Sequence, residues 1–217
     1  MSYIVERRQE EKDRRRSDIV DAAEDLYREL GWDAVTMDSV AKRARLSRAL
    51  VYVYFKDKRD LHFAIAQRAL ELLRNRFAEA AGRAKLGIDK VTALGRAYTA
   101  YGQEFPHYFD ACARLELHVP DGAEATPQEC TCIDVAQSLL EVVVEALRAG
   151  QRDGTIRADI GDPALTSRTL WGFMHGLMQI AITKSEPLAR QGISVSQLTQ
   201  HAVALIHYML KAPKAEC

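Results

Sequence analysis

The sequence predicts an all-α protein. Glycine and proline, the residues that most often interrupt helices, number only 12 and 6 in 217 residues. Alanine, leucine, arginine and glutamate are frequent, and apolar residues recur at helical spacing. A β-sandwich or β-barrel would need many more turn residues. Apolar residues make up 47% of the chain, which is enough for a core and excludes wholesale disorder.

Start and stop signals divide the chain into about nine helices. Four are predicted in the first part: Arg16–Leu30 ended by Gly31, a helix capped by Thr36 that stops near Ala44, Arg48–Tyr54 capped by Ser47, and a long helix capped by Asp57 that reaches Phe77. Five are predicted after it: Ile88–Phe105, Pro106–His118, Pro127–Arg152 capped by Thr126, Pro163–Lys184 capped by Asp162, and a helix capped by Ser194 that runs to Leu210.

Composition also bears on where the protein works. The first residues lack the apolar run of a signal peptide, which predicts that the chain is not secreted. The longest apolar stretch, Leu170 to Ile182, is about 13 residues, too short to cross a bilayer. The 4 cysteines form no C-x-x-C pair. We therefore expect a cytoplasmic protein with reduced thiols and no membrane association.

The charge is balanced overall and strongly uneven locally. Lys plus Arg and Asp plus Glu are both 30, so the net charge is zero. Between Lys42 and Arg59, seven basic residues face one acidic residue, Asp57, a local charge of +6. Charge alone is also compatible with an ordinary solvated surface that binds nothing. However, two short helices joined by a tight turn form the helix-turn-helix arrangement, whose second helix fits the major groove of DNA.

The residues between these charges resemble a known family. The run from Ser47 to Leu61 reads SRALVYVYFKDKRDL, and Ile19, Ala22, Ala23, Gly31, Trp32, Thr36, Val40 and Ala41 precede it. The combination resembles the TetR family of bacterial transcriptional repressors. The resemblance implies a DNA-binding domain over residues 13–73, with its helix-turn-helix at about 36–55. It implies an effector-binding and dimerisation domain over 74–217.

The candidate DNA contacts follow from residue chemistry together with that resemblance. Arg48, first in the recognition helix, can pair with guanine or with phosphate. Tyr54 and Lys58 match the family's phosphate contacts, although Tyr54 can instead pack against the first helix. Thr36 and Ser47 can bind phosphate or simply cap helices. The full predicted set is Thr36, Arg45, Ser47, Arg48, Ala49, Leu50, Tyr52, Tyr54 and Lys58.

Two features depart from the family or extend beyond it. Arg45 stands where the family usually has glycine in the turn, and a side chain at positive φ costs about 1 kcal/mol. The stretch Arg7–Arg16 holds six basic residues against three acidic ones. It is either an arm that enters the minor groove or a disordered terminus.

The C-terminal part offers material for a homodimer. The Pro163–Lys184 helix is apolar on most sides, which predicts contacts on several faces. Together with the last helix it can form a four-helix interface across a two-fold axis, or both can be ordinary core. The candidate interface residues are Leu170, Gly172, Phe173, Gly176, Leu177, Leu205 and Met209.

An effector site is expected among the fifth to eighth predicted helices. An aromatic run that begins at Tyr98 could line an apolar cavity, although a plain core is an equal interpretation. The candidate ligand residues are Tyr101, Phe105, Tyr108, Phe109, Cys112, Glu116, Trp171, His175 and Met178. His118, Asp121, Cys130 and Cys132 lack the spacing of a zinc site, so we expect no metal and no cofactor.

These observations predict a DNA-binding transcriptional regulator, a repressor that binds a pseudopalindromic operator as a homodimer and is released by a small-molecule effector. The alternative is a helical interaction or small-molecule-binding protein without operator-specific DNA binding. An enzyme is not expected, because no phosphate-binding loop, G-x-S-x-G or H-E-x-x-H motif is present in the sequence.

Overall fold

The computed structural model describes residues 3–116 and 126–213, with the side chains of Tyr3, Ile4 and Glu116 left out. The helices are α1 Tyr3–Leu30, α2 Met37–Arg43, α3 Arg48–Tyr54, α4 Lys58–Arg83, α5 Gly87–Glu104, α6 Pro106–Glu116, α7 Pro127–Arg152, α8 Pro163–Thr183, α9 Ser185–Arg190 and α10 Val195–Leu210. Apart from one isolated bridge between Ile156 and Lys211, these described residues contain only helices and their connections. The all-α prediction is confirmed.

The predicted caps are confirmed by hydrogen bonds. The side chains of Thr36, Ser47 and Asp57 accept from the backbone N–H groups of Ser39, Leu50 and Asp60 at 3.1, 3.2 and 2.8 Å. Thr126, Asp162 and Ser194 cap α7, α8 and α10 in the same way. Each bond satisfies a backbone donor that the first turn of a helix leaves unpaired, which is why the starts of these helices were readable from the sequence.

The start of the first helix and the helix count were predicted wrongly. α1 begins at Tyr3, not near Arg16, so the stretch Arg7–Arg16 is helical rather than disordered. A helix that no signal predicted, α9 Ser185–Arg190, follows α8 directly and has no buried residue. Two further predicted features, the end of the sixth helix at His118 and Asp121, lie outside the described residues.

The first compact unit comprises residues 1–69 and 107–133. Its core is formed by the inward faces of α1, α2, α3 and the start of α4: Ile19, Val20, Ala23, Val40, Val51, Phe55, Leu61 and Ile65. Gly31 ends α1 at φ 77 and is followed by a 3₁₀ turn, Trp32–Ala34. This packing fixes the α2–α3 pair that carries the predicted DNA contacts.

The second compact unit comprises residues 70–106 and 134–217. Within it α10 packs on α5 and α8. The start of α5 meets the end of α7 so closely that a Cβ on Gly87 would lie 2.0 Å from the Gly150 nitrogen. Asp153 accepts from the Gly87 N–H at 2.7 Å and so caps α5 from a distant part of the chain. The close approach therefore explains the glycine at position 87, while a Cβ on Gly150 would instead lie 2.4 Å from the Ile156 side chain.

Candidate functional site

The helix-turn-helix is formed by α2, α3 and the turn between them. Val40 and Val51 are fully buried, and α2 packs against α3. Arg45 lies in the turn at φ 57, the left-handed region. Its N–H donates to Lys42 O at 3.2 Å, and the Leu46 N–H donates to Ala41 O at 2.9 Å. The turn therefore keeps a geometry that favours glycine, at a cost of about 1 kcal/mol to a residue with a side chain.

All of the predicted contact residues are at least partly exposed. Thr36, Arg45, Ser47, Arg48, Ala49 and Tyr52 are exposed, and Leu50, Tyr54 and Lys58 are half-buried. Val53 is 75% exposed although it is apolar. Because Val51 and Phe55 point inward, the outward face of α3 is the one that can enter a groove. Its exposed Arg and Tyr side chains are the types that contact bases and phosphates.

Arg48 is held in place by two neighbours in the same motif. Its Nε lies 3.1 Å from Asp38 Oδ1, and its Nη1 lies 3.3 Å from Asp38 Oδ2. Nη2 lies 3.5 Å from the Tyr52 hydroxyl, and the guanidinium carbon lies 5.5 Å from the centre of the Tyr52 ring. The Tyr52 hydrogen bond and the Asp38 charge raise the pKa of Arg48. An acidic residue thus sits on a surface that is otherwise suited to DNA.

Lys58 packs beside the core of the first unit. Its ammonium lies 4.9 Å from the centre of the Trp32 ring and donates to Asp33 O at 3.3 Å. Partial burial lowers the pKa of the side chain. A lysine whose stem packs against an aromatic ring presents its charge from a fixed position, which suits a phosphate contact.

A polar network joins α6 to α1 within the first unit. The Tyr27 hydroxyl donates to Asp110 at 2.6 Å, and Arg114 Nε donates to the same carboxylate at 2.9 Å. Arg114 also donates to both carboxylate oxygens of Asp33, at 3.0 and 3.2 Å. Burial, followed by the bond to Asp110, raises the pKa of Tyr27. The network fixes α6 beside the turn that carries Trp32 and Asp33.

His62 is the buried titratable group beside this network. Its ring centre lies 4.8 Å from that of Trp32, and its Nε2 is buried without a hydrogen-bond partner. Burial, followed by the charge of Arg114, lowers its pKa to about 4. The imidazole is therefore neutral at physiological pH.

The second unit contains a small apolar cavity of about 60 Å³. Its lining is almost wholly aliphatic and aromatic: Phe77, Val91, Leu94, Gly95, Tyr98, Leu139, Leu140, Val143, Ser167, Leu170, Trp171, Met174 and Ile206. Beside it the Tyr98 hydroxyl lies 3.0 Å from His175 Nδ1, and the His175 ring stacks on Trp171 at 5.2 Å. Burial lowers the pKa of His175. Among the described residues, none that lines the cavity is charged.

The structure distributes the predicted ligand residues widely. Trp171 lines the cavity and His175 lies beside it, while Met178 and Tyr101 are fully buried. Phe105 lies 5.7 Å from the Tyr101 ring, on the same unit. The remaining four belong to α6 in the first unit: Tyr108, Phe109, Cys112 and Glu116. Of these, Tyr108 has a pKa raised to about 12 by burial and by the nearby Glu24.

The predicted dimer residues lie mostly on open faces of α8 and α10. Gly172, Phe173, Gly176, Leu205 and Met209 are exposed, Leu177 is half-buried, and Leu170 lines the cavity. A Cβ added at Gly172 or Gly176 would meet nothing within 4 Å. Other large apolar side chains on these two helices are exposed as well: Leu165, Ile180, Ile182 and Tyr208.

Comparison with known proteins identifies the family. A family model described as bacterial regulatory proteins of the tetR family matches residues 19–65. A second, described as a tetracyclin repressor-like C-terminal domain, matches residues 91–206, more than half of the chain. The chain belongs to the TetR family.

Individual relatives agree with this assignment. The HTH-type transcriptional regulator UidR of Escherichia coli K12 is 24% identical over 192 residues, 87% of this chain and 91% of UidR. The HTH-type transcriptional activator FasR of Mycolicibacterium smegmatis is 34% identical over 62 residues, 29% of this chain and 28% of FasR. A putative transcriptional regulator from Saccharomonospora viridis, solved in complex with choline, has a TM-score of 0.72 at 17% identity, covering 91% of this chain and 98% of that one. This TetR-family chain is a DNA-binding transcriptional regulator.

Two features of this TetR-family chain were not readable from the sequence. Asp38 gave no signal, because its pairing with Arg48 depends on how α2 and α3 cross. Apart from Tyr98 and Trp171, the cavity lining was missed, because it draws on five helices and no single stretch reveals it. Among the described residues, no helix is long and apolar enough to cross a membrane.

Proposed function

We propose that this TetR-family regulator is a homodimeric repressor that binds a pseudopalindromic operator in the cytoplasm and releases it when a small effector binds. The observation that carries the proposal is the outward face of α3, which presents Arg48 and Tyr52 from a helix whose other face is buried. A helix seated in this way can lie in a major groove while its exposed side chains reach base edges.

The predicted contacts divide into two kinds. Arg48 and Tyr52 are placed to reach bases, and Leu50 and Ala49 supply apolar surface for a thymine methyl group. Thr36, Ser47, Arg45, Tyr54 and Lys58 surround them and serve as phosphate contacts. Phosphate contacts fix the register of the protein on DNA, while base contacts choose the sequence.

A second copy of the chain is the proposed occupant of the open apolar face of α8 and α10. The face carries Phe173, Leu205 and Met209, with Gly172 and Gly176 allowing close approach of another helix. A contiguous exposed apolar surface favours association with another protein surface. A two-fold dimer would place two recognition helices on half-sites about 34–36 Å apart, or a multiple of that distance.

The effector proposed for the second unit is a small, largely apolar molecule without net charge. The described residues of the cavity lining offer neither a cation nor a carboxylate to balance a charged ligand. Tyr98 and His175 offer one polar position at its edge. At about 60 Å³ the cavity is far below the roughly 300 Å³ of a typical ligand pocket, so the effector must displace lining side chains.

Displacement of the lining side chains is the proposed cause of release from the operator. α4 is one continuous helix that supplies Leu61 to the core of the first unit and Phe77 to the cavity lining. An effector that binds one arrangement of the cavity more tightly shifts the population toward it. The proposed consequence is a changed spacing of the two recognition helices and a loss of operator affinity.

The test is binding to an operator recovered from random-sequence duplexes by selection with the parent protein. Arg48→Ala should weaken binding by about 10- to 100-fold and alter base preference at one position. Lys58→Ala should weaken binding to all sequences and lower the salt slope by about 1. Leu86→Ala, an exposed apolar residue in the second unit, is the control. Parental affinity in both variants, or failure to select any sequence, would contradict the proposal.

A further inference from the structure

The first helix is much longer than its packing requires. α1 begins at Tyr3, yet its first fully buried side chain is that of Ile19. Every residue from Val5 to Arg14 is exposed. Residues 3–14 therefore form a helical arm, which at 1.5 Å per residue extends about 18 Å beyond the packed part. Because the exposed residues of this arm pack against no core, packing does not account for its many charged side chains.

The charges of the arm are sorted by face. Three basic residues follow one another at i, i+4 and i+7, which places them on one side of the helix: Arg8, Lys12 and Arg15. Three acidic residues follow the same spacing on another side: Glu6, Glu10 and Asp13. Opposite charges four residues apart also occur, as at Glu11 and Arg15, but exposed pairs of this kind contribute little to stability.

The basic side continues the buried side of α1. Arg8, Lys12 and Arg15 each lie about three helical turns before a buried residue: Ile19, Ala23 and Leu26 respectively. The basic stripe therefore faces the side on which the rest of the first unit packs. The neighbouring ion pair is weak, since Arg15 lies 3.9 Å from Asp18 and both side chains are partly exposed. Arg8 and Lys12 are exposed, so all three cations are available to another partner.

The base of the arm lies beside the recognition helix. The Arg16 guanidinium carbon lies 5.0 Å from the centre of the Phe55 ring, and Phe55 is the C-cap of α3. Phosphates border the major groove on both sides of a helix seated in it. From this position we infer that the arm binds the phosphate backbone of operator DNA just outside each half-site, through Arg8, Lys12 and Arg15. The inference rests on the proposed seating of α3 in the groove.

The arm would extend the operator by about five base pairs on each side, because its roughly 18 Å reach corresponds to that length of duplex. This predicts a dependence on DNA length that the helix-turn-helix alone would not show. Two duplexes separate the cases: one ending at the outer edge of the half-sites, and one extended by about ten base pairs of arbitrary sequence at each end.

The variant to compare is Arg8→Gln with Lys12→Gln and Arg15→Gln. On the extended duplex at physiological salt its affinity should fall at least tenfold, and its salt slope should decrease by about 0.9 for each phosphate that the arm no longer neutralises. On the short duplex it should bind nearly as the parent does. Arg8→Lys with Arg15→Lys keeps the charges and should keep the length dependence.

The matched control removes the opposite charges of the same arm, through Glu6→Gln, Glu10→Gln and Asp13→Gln. It should bind the extended duplex at least as tightly as the parent. Circular dichroism establishes that each variant remains helical. If the parent binds both duplexes equally, or if the basic triple variant weakens equally on both, the arm does not bind flanking DNA. Arg48→Ala should weaken binding by about 10- to 100-fold on both duplexes, which tests the seating of α3 separately from the arm.

Discussion

Arg48, the proposed base contact, is already restricted by two neighbouring side chains in the free protein. Asp38 and Tyr52 restrict its guanidinium, so less conformational entropy remains to be lost on binding. The same Asp38 places a negative charge on the surface that is proposed to approach phosphate. Affinity and sequence discrimination should therefore respond in opposite directions when that charge is removed.

Asp38→Asn is expected to raise affinity for unrelated DNA several-fold while reducing discrimination at the base pair that Arg48 is proposed to contact. The amide keeps the shape of the side chain but neither repels phosphate nor pairs firmly with arginine. The measurement is binding to the selected operator and to its single-base variants. Glu29→Gln breaks the comparable pair with Arg43, which lies on α2 rather than α3, and should leave base preference unchanged. An unaltered ranking of operator variants with Asp38→Asn would show that Asp38 does not position Arg48.

His62 links stability to pH within the first unit. Its pKa is lowered from 6.5 to about 4, with Arg114, Asp110 and Lys58 as the charged groups around it. Below pH 6.5 the unfolded chain takes up the proton more readily than the folded chain. The contribution to stability is therefore complete above pH 6.5 and is lost progressively as the pH falls toward about 4.

The expected loss from this residue between pH 7 and pH 5 is about 2 kcal/mol in the free energy of unfolding. His62→Phe keeps an aromatic ring against Trp32 but cannot titrate. Its free energy of unfolding should therefore fall by about 2 kcal/mol less than that of the parent between pH 7 and pH 5. Urea denaturation of both proteins at the two pH values measures the difference. The exposed His201→Phe serves as the comparison and should follow the parent. Equal losses in the parent and His62→Phe would place the pH sensitivity elsewhere.

At the scale of elements, sequence signals predicted helix starts well where a cap defines them. Thr36, Ser47, Asp57 and Asp162 are local signals, because the hydrogen bond spans only two or three residues. The start of α1 was missed because Arg7–Arg16 has no apolar periodicity, and charged residues are equally frequent in disordered termini. α9 was missed because it buries nothing and therefore leaves no pattern.

The turn between α2 and α3 tests whether Arg45 is retained for its side chain. Arg45→Gly removes the strain at φ 57 and should raise the free energy of unfolding by about 0.5–1 kcal/mol. It should nevertheless weaken DNA binding, because the exposed cation is removed. Arg45→Ala keeps the strain and removes the same charge, so it should weaken DNA binding without the gain in stability. If Arg45→Gly binds DNA as the parent does, the side chain makes no phosphate contact.

For the whole molecule, composition predicted the all-α class but did not indicate where the proposed DNA-binding site lies. A net charge of zero hides a local charge of +6 around the helix-turn-helix, and only the order of the residues reveals it. The full lining of the cavity could not be predicted in the same way. It depends on side chains from α4, α5, α7, α8 and α10, so it arises from the three-dimensional packing rather than from any one helix.

In the proposed repressor, operator binding by the whole molecule depends on dimerisation. Phe173 on α8 and Leu205 on α10 are about 40% exposed, so replacing them should not disturb the core of the second unit. Phe173→Glu with Leu205→Glu would place two desolvated carboxylates from each copy in the proposed interface, with no cation among its assigned residues. We expect a folded monomer by light scattering and circular dichroism, with operator affinity reduced at least 100-fold because one recognition helix binds without the other. Leu86→Glu adds a charge at a similarly exposed apolar position outside α8 and α10 and should remain dimeric. A double variant that stays dimeric and binds the operator normally would place the interface on another face.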